Sequence, residues 1–175
     1  IFVINLIISR TPYRISFFGG GTDYPEWYLK NTGEVISTTI DKYLYLSCRN
    51  LPTFYKYKYR IIWNKIELAK KKTNIDHKVV RKMIDHLKIK EGLDIVYAGD
   101  LPAQSGMGSS SSFVVGLMAA LYELKKIRFD KKKLAIDSMF FEQKILKECV
   151  GSQDQIASAY GGFQSIKFMK DGSFK

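Results

Sequence analysis

A glycine- and serine-rich loop, DLPAQSGMGSSSSF at residues 100–113, most constrains what this chain can fold into. An apolar stretch at residues 92–97 predicts a strand before the loop, and apolar residues three and four apart over residues 114–121 predict a helix after it. Gly106 and Gly108 can take a positive φ and let backbone approach a ligand, while the following serines would present donors at the helix start. The loop therefore predicts a phosphate site and a phosphoryl-transfer enzyme, although a flexible turn that caps the helix has the same composition.

Two better-known phosphate motifs do not describe this loop. A Walker A loop needs a lysine directly after its last glycine, and Gly108 is followed by serine. A dinucleotide-binding loop needs a third glycine and a later acidic residue at a strand end, and this sequence has neither. An ordinary P-loop or Rossmann fold is therefore disfavoured.

Composition allows one domain and an anionic partner. With 175 residues, of which 46% are hydrophobic, the chain can bury a core, and its net charge of +11 suits a nucleotide, sugar phosphate, nucleic acid or acidic membrane. Cys48 and Cys149 have no metal-binding or disulfide spacing, which favours a reducing cytoplasm. The apolar start, residues 1–8, is far shorter than the roughly 20 residues that span a bilayer, so it predicts a strand in a soluble protein.

The spacing of apolar residues predicts an α+β fold. We expect a mixed sheet with helices packed on one of its faces. An aromatic and basic alternation at residues 54–60, FYKYKYR, is interpreted as an amphipathic strand, with an RNA-binding sheet as the alternative. The predicted strands cover residues 2–9, 14–18, 34–40, 42–49, 57–63, 92–97 and 163–169, and the predicted helices cover residues 77–89, 109–125, 131–148 and 153–160, with a short helix from residue 25.

A second glycine cluster, at residues 19–21, precedes Thr22 and Asp23. Consecutive glycines leave backbone free to lie against a ligand, and the hydroxyl and carboxylate that follow suit a polyol. A turn capped by an Asp side chain before a short helix is the alternative.

Glu142 lies on the apolar face of the helix predicted over residues 131–148. A carboxylate that points into a protein needs a cation. Beside a phosphate loop Mg²⁺ is the natural one, because it takes few protein carboxylates together with hydroxyl, water and phosphate oxygens. A salt bridge to an inward lysine or arginine is the alternative.

Asp154 falls at the second position of a predicted helix, because Ser152 and Gln155 have the spacing of a capping box. The helix dipole there favours an ionised carboxylate, as proton abstraction from a hydroxyl requires, although complementarity to the dipole alone is the alternative. His77 and His86 both fall on a lysine-rich, surface-like helix. We therefore expect carboxylates to carry any acid–base chemistry.

These motifs, in this order, resemble those of the GHMP kinases, which include galacto-, homoserine, mevalonate and phosphomevalonate kinases. The similarity runs from about residue 8 to residue 168, and the chain looks most like the D-glycero-D-manno-heptose 7-phosphate kinase branch. The stretches that carry it are RTPYRISFFGGGTDY at residues 10–24, LPAQSGMGSS at residues 101–110, Glu142, GSQDQ at residues 151–155 and AYGGF at residues 159–163.

The resemblance implies a fold and a reaction. The fold is an N-terminal domain like the second domain of ribosomal protein S5, followed by a ferredoxin-like C-terminal domain. The reaction uses ATP and Mg²⁺ to phosphorylate the anomeric hydroxyl of D-glycero-D-manno-heptose 7-phosphate to the 1,7-bisphosphate, in nucleotide-heptose biosynthesis. ATP and a sugar phosphate would be the partners, with no nucleic acid and no membrane, and a homodimer is compatible with the resemblance.

The resemblance also implies roles for individual residues. Asp154 would orient or deprotonate the acceptor hydroxyl, Arg14 would lie near that hydroxyl and the γ-phosphate, and Ser110 with Glu142 would hold Mg²⁺. The residues that would wrap the ATP phosphates are Pro102, Ser105, Gly106, Met107, Gly108, Ser109, Ser110 and Ser111, and those that would face the sugar are Gly20, Gly21, Thr22, Asp23 and Tyr24.

Departures from the family pattern refine these expectations. Galactokinases carry Glu and His where this chain has Gly20 and Gly21, which disfavours galactose. The family's third motif, in the C-terminal domain, is missing, and the first residue is Ile. We expect residues 1–175 to be the N-terminal ATP-binding domain of a longer protein, inactive by itself. A GHMP kinase for another sugar, fucose- or galactose-like, and a non-catalytic domain that binds sugar, nucleotide or RNA are the alternatives.

Overall fold

The computed structural model of the protein describes residues 6–102 and 105–175, so residue 1, residues 2–5 of the first predicted strand and two loop residues lie outside it. Within the described residues, six strands form one mixed sheet. The strands are β1 (Leu6–Phe18), β2 (Gly33–Asn50), β3 (Tyr59–Ile62), β4 (Ile66–Ala69), β5 (Leu93–Gly99) and β6 (Phe163–Phe168). The helices are α1 (Pro25–Asn31), α2 (Lys78–His86), α3 (Ser109–Leu124), α4 (Lys131–Phe140) and α5 (Gln153–Tyr160), with a 3₁₀ turn at Lys72–Asn74 and a π-helical turn at Phe141–Leu146.

The long strand β2 organises the sheet. One of its edges pairs antiparallel with β1, while the other pairs antiparallel with β6 along its first half and with β5 along its second half. Beyond β5 the order continues through β3, which is parallel to β5, to the edge strand β4. The mixed sheet of an α+β fold is therefore confirmed.

A β-bulge joins stretches that the sequence analysis separated. Two pairs of predicted strands, 2–9 with 14–18 and 34–40 with 42–49, are continuous in β1 and β2. The pairing register between β1 and β2 shifts at the junction of these stretches, since Pro12 pairs with Tyr43 but Arg14 pairs with Thr39. A bulge shifts the alternation of inward and outward side chains, so the change of pattern marked a bulge rather than a strand end.

Helices α3 and α5 pack against β1 and β2, and α4 packs against both of these helices. Gly116 allows α3 to approach the sheet closely, because a Cβ atom at this position would lie 2.5 Å from Thr11 Oγ1 and 3.3 Å from Ser9 Oγ. Buried apolar side chains of α3, including Val114, Leu117 and Leu121, form the centre of the main core. The opposite face of β1 remains exposed at Leu6 and Ile8 within the described part of the chain.

Three local predictions are wrong. The short strand β4 was missed, because four residues are too few to show a period. Only the last two residues of the aromatic and basic stretch 54–60 lie in a strand. The stretch before them is a loop, in which Tyr55 stacks on Phe54 with ring centroids 4.5 Å apart and packs at a tilt against Tyr57 at 5.3 Å. The helix predicted over residues 131–148 is α-helical only as far as Phe140 and continues as the π-helical turn Phe141–Leu146. The turn keeps Glu142 inside the protein, as predicted.

We predict that Gly116→Val lowers the free energy of unfolding by about 2–3 kcal/mol, because the added side chain collides with β1 in a packed core. Urea denaturation followed by circular dichroism measures the loss. Glu123→Val, on the exposed side of the same helix, is the matched control and should cost less than about 1 kcal/mol from helix propensity. Equal losses in the two variants would contradict the close helix–sheet contact.

Candidate active site

The glycine- and serine-rich loop leads into α3, as predicted. Gly106 and Gly108 have φ angles of +75° and +71°, in the left-handed region that glycine tolerates. The Ser112 N–H donates to the Gly108 carbonyl over 2.9 Å as α3 begins. The N–H groups of the three preceding serines lie in the first turn, where an α-helix supplies no acceptor. Together with the helix dipole they favour an anion at this end.

Arg14 of β1 holds this loop. Its Nη1 donates to the Gly106 carbonyl over 2.9 Å, and its backbone N–H donates to the Met107 carbonyl over 3.1 Å. Pro102 is exposed at the start of the loop, whereas the Ser105 hydroxyl is buried without a partner among the described residues. The Ser105 hydroxyl is therefore a donor that a ligand could use.

The same arginine forms a two-point ion pair with Asp154. Arg14 Nε lies 2.6 Å from Asp154 Oδ1, and Nη2 lies 2.8 Å from Oδ2, with side chains only 12% and 22% exposed. A Cβ atom at Gly108 would lie 3.2 Å from Asp154 Oδ2. The structure thus brings the predicted base, the predicted arginine and the end of the phosphate loop into contact.

Burial sets the acid–base behaviour of Asp154. Desolvation raises the pKa of this carboxyl above its ordinary value, although the Arg14 guanidinium opposes the shift, and the negative charge of Asp23 adds to it. A carboxylate with a raised pKa is a stronger base than an exposed one. Its two oxygens are nevertheless held in one orientation by the guanidinium.

The N-terminus of α5, where Asp154 is the second residue as predicted, has no capping box. The Ser152 hydroxyl makes no bond to the helix and instead lies 3.1 Å from Gln143 Nε2. Gln155 points away from the helix start, and its Nε2 donates to Ser111 and to Glu142. The capping box is therefore a wrong prediction, because both side chains have tertiary partners that no local spacing reveals.

Glu142 is fully buried in the π-helical turn beside the start of α3. Its carboxylate accepts hydrogen bonds from Gln155 Nε2 and from Ser111 Oγ, the latter over 2.9 Å. Burial raises the pKa of Glu142 to about 7, against the effect of these two donors. Among the described residues no lysine or arginine pairs with it, so the salt-bridge alternative is not observed.

The residues around Glu142 fit a divalent cation that is shared with a ligand. No cluster of three or more His, Cys, Asp or Glu side chains exists within residues 6–102 and 105–175 to enclose a metal. Mg²⁺ does not need such a cage, since it is commonly held by one or two carboxylates together with substrate phosphates and water. Ser110 is exposed at the helix start, while Ser111 is the serine that contacts Glu142.

The glycine cluster forms a tight turn between β1 and α1. Gly20 and Gly21 are exposed, whereas the Thr22 hydroxyl donates to the Gly19 carbonyl over 2.7 Å and accepts from the Glu34 N–H over 3.1 Å. Asp23 is 1% exposed and bonds to backbone N–H groups. Tyr24 is half-buried, and burial raises the pKa of its hydroxyl.

The histidines are less exposed than a surface helix suggests. His77 stacks on Phe113 at 4.9 Å and packs edge-on against Trp63 at 4.8 Å, and burial lowers its pKa. His86 packs against Phe140 and Phe141. The prediction of a surface-like helix is therefore wrong for His77, since its partners come from distant segments.

The family model for the N-terminal domain of GHMP kinases matches residues 74–162, about half of the chain. The chain belongs to the GHMP kinases. The matched region contains the phosphate loop, Glu142 and Asp154, whereas Arg14 and the glycine turn lie before it. In the described part of the chain no helix is both long and apolar enough to cross a bilayer.

Several GHMP kinase relatives share this fold. A D-glycero-alpha-D-manno-heptose 7-phosphate kinase of Campylobacter jejuni is 28% identical over 94% of this chain and 51% of its own length. The crystal structure of a D-glycero-D-manno-heptose 1-phosphate kinase from Bacteroides thetaiotaomicron has a TM-score of 0.85 at 22% identity, and a putative sugar kinase from C. jejuni has 0.75 at 24%. These two alignments cover 98% and 99% of this chain and 58% of each structure, so the chain spans between half and three fifths of these relatives.

We predict that Glu142→Gln stabilises the protein at pH 8 in Mg²⁺-free buffer. With an unfolded pKa near 4.5 and a folded pKa of about 7, the native state holds the proton more tightly. Wild-type stability therefore falls as the pH rises through this window, by about 3 kcal/mol in total. Glutamine keeps the shape, donates to Ser111 and accepts from Gln155 without a buried charge.

Urea denaturation at pH 4.5 and pH 8 measures this effect. The variant and the wild type should have similar stability at the lower pH and differ by about 2–3 kcal/mol at the higher one. Glu123→Gln, at an exposed position of α3, should leave the pH dependence unchanged. A variant that is less stable than the wild type at pH 8 would contradict the cost of the buried carboxylate.

Proposed function

We propose that this chain is the ATP-binding part of a sugar kinase, which transfers the γ-phosphoryl group of ATP to the anomeric hydroxyl of D-glycero-D-manno-heptose 7-phosphate. The product would be the 1,7-bisphosphate. The observation that carries the proposal is the contact between the Arg14–Asp154 pair and the end of the phosphate loop at Gly108. A base and a phosphate cradle in contact are what phosphoryl transfer to a hydroxyl requires.

The loop would bind the nucleotide through its backbone. The first-turn N–H groups of α3 and the serine hydroxyls of the loop would donate to the phosphate oxygens, and the net charge of +11 would favour the approach of ATP. Glu142 and the Ser110 hydroxyl would hold Mg²⁺. When bound, this ion offsets the negative charge of the β- and γ-phosphates.

Asp154 would serve as the base, held in place by Arg14. As the sugar oxygen bonds to the γ-phosphorus, the bond from phosphorus to the bridging oxygen of ADP breaks, and the hydroxyl proton passes to the Asp154 carboxylate. Arg14 keeps that carboxylate ionised and oriented, while burial makes it more basic than an exposed aspartate. The arginine would also lie beside the charge that develops on the transferred group.

The glycine turn would face the sugar. Gly20 and Gly21 are exposed and carry no side chain, so a sugar can lie against their backbone, and Tyr24 adds a half-buried hydroxyl nearby. The 28% identity to a curated heptose 7-phosphate kinase supports this substrate over galactose or fucose. Free Cys48 and Cys149 are compatible with the cytoplasm, where we place the enzyme.

We predict that Asp154→Asn lowers kcat by about 10²–10⁴-fold, because the amide accepts no proton from the sugar hydroxyl. The complete gene product should be assayed with ATP, Mg²⁺ and heptose 7-phosphate, with ATP affinity measured by calorimetry. ATP affinity should stay within about threefold, since the loop N–H groups remain. Asp171→Asn, in the exposed turn after β6, is the matched control. Wild-type turnover in Asp154→Asn would rule out this base.

Comparing kcat/KM across a panel of sugar acceptors identifies the substrate. We expect kcat/KM to be highest for D-glycero-D-manno-heptose 7-phosphate, and lower by at least about tenfold for the free heptose, fucose and galactose, which lack the distal phosphate. A preference for a free sugar would keep the kinase and change its substrate. Tight, steeply salt-dependent RNA binding without phosphoryl transfer would favour the non-catalytic alternative.

A further inference from the structure

Asp23 joins the glycine turn to the start of α5. Its Oδ1 accepts from the Gly21 N–H over 3.0 Å, and its Oδ2 accepts from the Gln153 N–H over 3.1 Å. Its backbone carbonyl accepts from the Ser152 N–H over 2.9 Å. With 1% exposure, the side chain is committed to these partners. One residue therefore ties together two segments that are 130 positions apart in sequence.

The first turn of α5 depends on this contact. A helix start presents N–H groups without intrahelical acceptors, and a side chain at the N-cap usually accepts one of them. Here the N-cap residue, Ser152, makes no such bond. The cap comes instead from Asp23, which bonds to the residue directly before Asp154. The position of the proposed base is thus set from the glycine turn.

Gly151 makes room for the Asp23 carboxylate. A Cβ atom at this position would lie 1.9 Å from Asp23 Oδ2 and 2.6 Å from its Cγ, which is far inside contact distance. Gly151 is not among the glycines with a positive φ, so its φ angle does not itself require glycine. Glycine is required here by space, and the space is filled by one identified side chain.

We propose that Asp23 is a positioning residue, which fixes the start of α5 and thereby the Asp154 carboxylate against Arg14 and the phosphate loop, and that it is not a ligand of the sugar. This assigns Asp23 a role different from the sugar contact that the family resemblance implies. The kinetic part of the proposal rests on the proposed kinase function, whereas the structural part does not.

The kinetic test separates the two roles of Asp23. In the complete gene product, Asp23→Ala should lower kcat by about 10- to 100-fold, because a displaced α5 moves the base from its productive position. The KM values for ATP and the sugar phosphate should change by less than about threefold. Asp23→Asn, which retains one carbonyl oxygen for one of the two N–H groups, should fall between the wild type and Asp23→Ala. A raised sugar KM with an unchanged kcat would identify a sugar ligand and overturn the proposal.

A double-mutant cycle with Gly151 tests the mechanism. Gly151→Ala should lower kcat about as much as Asp23→Ala, because the methyl group displaces the same carboxylate. In the Asp23→Ala background the carboxylate is gone, so adding Gly151→Ala should change kcat by less than about twofold. If the two effects multiply, Gly151 and Asp23 act independently, and the proposed positioning role of Asp23 is wrong.

Amide hydrogen exchange, followed by mass spectrometry or NMR, provides a readout that needs no turnover. In Asp23→Ala, the exchange of the Gly21 and Gln153 amides should accelerate by about tenfold or more, while amides in the centre of α3 keep their protection. Unchanged exchange at both amides would overturn the proposal. If Asp23→Ala fails to fold, the same measurement on Asp23→Asn tests the proposal. Exchange should then accelerate at one of the two amides. A wild type without kinase activity would refute the proposed function. The exchange data would still show whether Asp23 positions the start of α5.

Discussion

The ion pair between Arg14 and Asp154 connects the parts on which this site depends. Arg14 lies at the β-bulge of β1 and also bonds to two carbonyls of the phosphate loop, while Asp154 lies at the start of α5. One guanidinium therefore holds a strand, a loop and a helix in a fixed relation. A partly buried pair of this kind costs desolvation and is weak evidence for stability. The ion pair matters here because its two parallel hydrogen bonds fix the orientation of the Asp154 carboxylate.

Glu142 is a candidate site residue whose burial lowers the stability of the folded protein. Its carboxylate is buried with two neutral donors and without a cationic side chain among the described residues, so the pKa is raised to about 7. A buried carboxylate without a cationic partner is costly for the folded protein. The residue lies in a π-helical turn, a local irregularity that is frequent at functional sites.

Much of the fold and of the site was predictable from the sequence. The start of α3, both ends of α5 and the inward position of Glu142 followed from local periodicity, which reports faithfully on the face that an element buries. Two of the predictions that failed have one cause in common. The capping box of α5 and the surface placement of His77 both assumed local partners, whereas their actual partners lie 9 to 44 residues away in sequence. Local spacing carries no information about such contacts.

By itself, the sequence determined the composition of the site: a loop of glycines and serines at a helix start, two carboxylates and an arginine, in an order that resembles the GHMP kinases. These features depend on residue type and short-range spacing. Only the tertiary structure decided how they meet. Asp23 lies 130 positions from the amide that it caps, and Arg14 lies 140 positions from its carboxylate. Such pairings arise when β1, α3 and α5 pack against one another, and they therefore become visible only in the folded chain.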